Sequence, residues 1–130
     1  MYAIIHNRMI KEQKDFPLLQ TYKQYFEITE KTIFALYPDI YTNYELTPDL
    51  LIHEQIHFKQ QEKLGVDEWV NRYIDDKDFR LEQEIEAYKN QINSIKDRNA
   101  RERMKVWASN ILSSKLYGNI INSREAYKKL

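Results

Sequence analysis

Apolar and polar positions alternate at the start of the chain. "YAIIHNRMI" (2–10) combines that alternation with Ile and Tyr and predicts a first β-strand. In "FPLLQTYKQYFEIT" the apolar residues Leu18, Leu19, Tyr22 and Phe26 shift to helical spacing, with Pro17 near the helix start. "KTIFALYP" predicts a short strand stopped by Pro38, and "DIYTNYEL" an aromatic loop.

From Thr47 the pattern is helical almost to the end. "TPDLLIHEQIHFKQQEKLG" offers Thr47 as N-cap, Pro48 as first helical residue, Asp49 in the first turn and Gly65 as the stop. Asp67 is expected to cap "EWVNRYI", whose Trp69, Val70, Tyr73 and Ile74 share a face. A long helix through "DFRLEQEIEAYKNQINSI" carries the stripe Leu81, Ile85, Tyr88, Ile92, Ile95. "NARE" reads as a capping box with Asn99 as cap and Glu102 as its partner. Met104, Trp107, Ile111 and Leu112 form the next apolar face, and Ser123 is expected to cap a short terminal helix after Gly118. Strands first and helices afterwards predict an α+β fold, a small N-terminal β-sheet packed on a mainly helical body. The expected organisation is one domain over residues 1–130.

Composition narrows the chemistry. Cysteine is absent, which excludes disulfides, thiolate zinc fingers and cysteine nucleophiles; a metal site must use His, Asp or Glu. No apolar run approaches the roughly 18–20 residues that span a bilayer, and the start shows no leader pattern, so a cytoplasmic protein is expected. Net charge is zero, yet residues 96–130 carry nine Lys/Arg against three Asp/Glu. The plainer reading of that surplus is a solvated basic face folded back on an acidic body. The other is an anionic partner such as nucleic acid.

Two of the three histidines fall in "HEQIH" at 53–57. On a helix, His53 and His57 lie one turn apart and project the same way, so both imidazoles can reach one ion. Glu54, about 100° round the helix, sits beside that ion as a general base rather than a ligand. A plainer alternative is a helix carrying two hydrogen-bonded histidines. A zinc site needs a third protein ligand. His6 lies far upstream on the predicted strand, and a third histidine in an H-E-x-x-H-x-x-G-x-x-H pattern is excluded by Gln60 and Lys63. The later helix offers Glu82, Glu84 and Glu86. At 100° per residue, Glu84 falls about 60° from the centre of the apolar stripe, Glu82 about 100° and Glu86 about 140°. Glu84 therefore borders the buried face and is the expected third ligand, with Ala87 beside it allowing a close helix approach.

"HEQIH" at 53–57 followed by "EIEAY" at 84–88 resembles the zincin metallopeptidases in their gluzincin arrangement. The 27-residue step from His57 to Glu84 is similar to that of small single-domain bacterial and phage members, and the likeness covers about residues 31–92. The basic stretch 96–130 lies outside it as an expected helical extension. The resemblance implies a minimal zincin fold, Zn2+ on His53, His57 and Glu84, and peptide-bond hydrolysis with Glu54 as base. It also implies that "KTIFALYP" is an edge strand able to hold extended peptide. No downstream His or Arg is placed to polarise the substrate carbonyl, so Tyr41, Tyr44 and Tyr88 are the candidates. The rival expectation is a catalytically inactive binding protein that docks its basic helices on nucleic acid or another acidic partner.

Overall fold

The computed structural model describes residues 3–5 and 8–130, with side chains from Ile10 onward. The fold is α+β: a four-stranded sheet lies against a body of six helices. The strands are β1 (Ala3–Ile5), β2 (Arg8–Lys11), β3 (Phe34–Leu36) and β4 (Asp39–Tyr41), in the order β1-β2-β4-β3. β1 and β2 are antiparallel with Ile5 opposite Arg8, so the single strand expected over 2–10 is two strands. The sequence there lacks the Asn-Gly or Asp-Gly signal that would mark a tight turn. His6 lies outside the described residues.

The expected loop at 39–46 begins with a strand. β4 pairs in parallel with β2 and antiparallel with β3, and its Ile40 and Tyr41 are buried. Three residues are too few for alternation to be visible, and the long-range pairing decides. β3 is the edge strand, as expected.

The helices are α1 (Leu19–Tyr25), α2 (Pro48–Leu64), α3 (Val66–Asp75), α4 (Lys77–Asn93), α5 (Arg98–Leu112) and α6 (Ser123–Lys129). α2 starts at Pro48, but Thr47 does not cap with its side chain; its hydroxyl donates instead to Asp49 at 2.7 Å. Gly65 at φ +99° ends α2 and begins α3 at once, donating to the Gln61 carbonyl and accepting from the Trp69 amide. Asp67 is thus inside the first turn of α3 and not its cap. That positive φ is the reason for glycine here, since an added Cβ would meet nothing within 4 Å.

Two further caps differ from expectation. α5 is capped by Asp97, whose carboxylate accepts from the Ala100 amide, and Asn99 lies within the helix. Glu102 accepts instead from the Tyr127 hydroxyl. α6 is capped by Asn122, one residue before Ser123. An acidic or amide side chain upstream competed with each expected cap and won.

Helices α2 and α4 pack face to face, and Ala87, fully buried, permits their approach. The buried residues of α4 are Arg80, Glu84, Ala87, Tyr88, Gln91 and Ile92. At 100° per residue their centre is turned about 60° from that of the expected stripe, toward Glu84. Leu81 and Ile85 are only partly buried. The helix therefore faces inward with a mixed surface, and Glu84 sits near its middle.

Candidate metal centre

The buried face of α2 is polar: His53, Glu54, His57 and Gln61 line it with Phe58. Burying such groups is costly unless each has a partner. His53 Nε2 lies 3.2 Å from Glu84 Oε1, and His57 Nε2 lies 3.1 Å from Glu84 Oε2. The structure thus brings His53, His57 and Glu84 to one point, between two helices. The ligand atoms of His53, His57 and Glu54 also fall within 4.8 Å of one another. Glu82 and Glu86 are exposed.

The far side of each imidazole is held by a glutamine. His53 Nδ1 lies 3.0 Å from Gln91 Oε1, and His57 Nδ1 lies 2.8 Å from Gln60 Oε1. Both amides are oriented by carboxylates: Gln91 Nε2 donates to Asp49 at 2.8 Å, and Gln60 Nε2 to Glu86 at 2.7 Å. The amide oxygens therefore face the rings, each Nδ1 carries the donated proton, and each Nε2 is turned toward Glu84. Fixing the tautomer from behind is how metal-binding histidines are prepared. Trp69 adds indole N–H contacts to Gln60 and Gln83, both at 3.3 Å. Neither glutamine was singled out from sequence for this role. Their signal was positional, Gln60 three residues after His57 and Gln91 seven after Glu84.

Tyr73, expected only as part of an apolar face, donates its phenol proton to Glu84 Oε2 at 2.6 Å. Glu84 Oε1 is fully buried and makes no hydrogen bond among the described residues. Two donors about 2.0–2.1 Å from one tetrahedral zinc ion stand about 3.3 Å apart, which matches the imidazole–carboxylate separations found here. A carboxylate with one orphaned oxygen, two imidazole nitrogens fixed toward that carboxylate and a donor set of N and O together fit a zinc ion.

Electrostatics distinguishes the two carboxylates. Burial works to raise the Glu84 pKa, but the His57 and His53 side chains outweigh it and hold it well below the usual carboxylate range. Burial likewise works to lower the His57 pKa, and Glu84 reverses this, raising it to about 9. Glu54 goes the other way: burial pushes its pKa up against the pull of the two histidines. Glu54 makes no hydrogen bond or ion pair among the described residues and is 4% exposed. It is a basic carboxylate left free beside the trio.

Both carboxylates and both histidines open on a cavity of about 410 Å3. Its walls are largely aromatic, with Phe16, Phe26, Phe34, Trp69 and Tyr73 among them. Residues 33–35, reaching into β3, line one side. Gln61 occupies part of that strand's edge, its amide donating to the Ala35 carbonyl at 2.9 Å and accepting from the Tyr37 amide at 2.7 Å. Of the expected carbonyl-polarising tyrosines, Tyr41 is buried elsewhere and Tyr44 is exposed, and neither lines the cavity. Tyr88 does, with its ring 4.3 Å from that of His53, but its hydroxyl is bonded to that of Tyr117 at 2.8 Å. Arg80 cannot serve: it is buried against the carbonyls of Tyr73, Ile74 and Tyr117. Among the described residues no helix is long and apolar enough to cross a membrane. Comparison with protein-family models, curated proteins and solved structures finds no match for the chain.

Proposed function

We propose that this chain is a zinc-dependent peptidase of zincin type. The observation that carries the reading is the division within one cluster: two histidines and Glu84 converge on a point, while Glu54 beside them is buried, basic and unpartnered. A plain buried ion pair gives no reason for a second carboxylate there that makes no hydrogen bond or close ion pair.

His53, His57 and Glu84 would hold the ion, with Gln91, Gln60 and Tyr73 fixing their directions. Bound zinc supplies Lewis acidity, polarising a carbonyl and making water acidic enough to attack near neutral pH. Glu54 accepts the proton of the attacking water and passes it to the leaving amine. Its raised pKa suits both halves of that transfer. The peptide would lie along the part of the β3 edge that precedes the Ala35 carbonyl, because Gln61 already holds that carbonyl and the Tyr37 amide. The aromatic walls favour a large apolar side chain next to the cleaved bond.

Protein purified without a histidine tag should carry about one zinc per chain. It should cleave unstructured peptides, lose that activity to a chelator and regain it on zinc addition. Zinc-loaded protein inert toward a broad peptide library would reject the reading.

Zinc affinity should also depend on pH. With its pKa near 9, His57 is protonated in the metal-free protein at neutral pH, and zinc must displace that proton. Apparent affinity should therefore rise about tenfold per pH unit up to about pH 9 and then level off. Titrations at several pH values with a competing chelator measure the slope. A flat profile would mean that His57 loses no proton on binding.

A further inference from the structure

Hydrolysis of an amide places negative charge on the carbonyl oxygen, and a preorganised donor aimed at that oxygen is a large part of catalysis. Four tyrosines line the cavity: Tyr22, Tyr73, Tyr88 and Tyr117. Tyr73 is engaged with Glu84, and Tyr88 and Tyr117 are engaged with each other. The Trp69 indole is bonded to Gln60 and Gln83. Lys31 and Trp107 reach the cavity from exposed positions and so have no fixed aim.

Tyr22 differs from all of these. It is 7% exposed, and its hydroxyl has no hydrogen-bond partner among the described residues. Its ring is pinned by four others, Phe16 at 5.0 Å, Phe26 at 5.5 Å, Phe34 at 5.6 Å and Tyr73 at 6.3 Å between centroids. The unbonded hydroxyl is not sealed within packed side chains, since Glu84 Oε1 alone has that status among the described residues, and so Tyr22 presents it to the cavity it lines. A phenol that is rigid, lines the cavity of a candidate active site and lies within reach of Glu84's charge has an evident use.

We infer that Tyr22 is a catalytic residue of the proposed reaction, its phenol donating a hydrogen bond to the substrate carbonyl oxygen as negative charge gathers there. The inference rests on the peptidase reading. The phenol keeps its proton throughout, in line with burial and the Glu84 charge both raising its pKa. This places the donor upstream of the histidine motif, on α1, where the later helices offer none that is both buried and free among the described residues.

Tyr22→Phe removes one oxygen and leaves the ring packing intact. It should lower kcat about 10²–10³-fold with KM and zinc content unchanged. It should also weaken binding of a peptide phosphinate, whose tetrahedral anionic oxygen mimics the charged state, by a similar factor. Tm should not fall, which separates this role from a structural one. A variant that keeps wild-type kcat and wild-type phosphinate affinity overturns the inference and leaves the peptidase reading standing. Zinc-loaded wild type that neither cleaves peptides nor binds the phosphinate overturns both.

Discussion

Glu54→Gln is expected to abolish peptide cleavage while leaving zinc content and fold in place. The amide matches the carboxylate in size but cannot take a proton from water. A positioned general base contributes about 10²–10⁴-fold, so the residual rate should fall by at least that. The structure adds a second expectation. Glu54 is buried without a partner, and its raised pKa means that its charge opposes folding increasingly as pH rises above the ordinary carboxylate value of 4.5. Glutamine carries no such charge, so the metal-free variant should be at least as stable as the wild type at pH 7. Denaturant titrations of both proteins without metal check this, alongside zinc analysis and peptide assays. Full turnover in the variant would remove Glu54 from the chemistry.

The helix that presents Glu54 was legible from its ends rather than its middle. Pro48 and Gly65 marked where α2 starts and stops, but its inward face holds two histidines, a glutamate and a glutamine, so apolar periodicity says little there. α4 shows the complementary case. Its apolar stripe announced a helix, yet the buried face contains Arg80, Glu84 and Gln91, and the stripe's centre misses it by about 60°. Glu84 was found because it borders the stripe; it lies near the centre because polar partners on α2 replace apolar packing.

The supporting groups were less legible for the same reason. Gln60, Gln91 and Tyr73 matter through contacts 3, 38 and 11 residues away in sequence, and no local period encodes the two longer steps. β4 was hidden by its length and Tyr22 by its surroundings. A tyrosine at helical spacing among Leu18, Leu19 and Phe26 reads as core, and its ring is core; only the absence of a partner for its hydroxyl sets it apart.

The second large effect is expected from Glu84→Gln. The carboxylate is the one in close contact with both imidazoles, so its loss should weaken zinc binding by more than the 10–100-fold typical of losing an outer-shell partner. Metal-free stability should fall as well, because removing one member of a buried pair costs about 3–5 kcal/mol. The pH dependence identifies the cause. The depressed Glu84 pKa gives stability that is present above pH 4.5 and lost as pH falls below it. The raised His57 pKa gives stability fully present below pH 6.5 and lost as pH rises through about 9. Both describe one ion pair, so its contribution should be greatest between those two ordinary values and decline on either side. In Glu84→Gln the acid limb should vanish and the alkaline limb shrink, because Glu54 and Gln60 still favour protonated His57, while the Glu54 penalty eases with the Glu84 charge gone. Denaturation across pH 3–10 without metal, with zinc calorimetry at pH 7, would reveal the pattern. A variant with wild-type zinc affinity and an unaltered pH profile would show that the histidines hold their ion without Glu84.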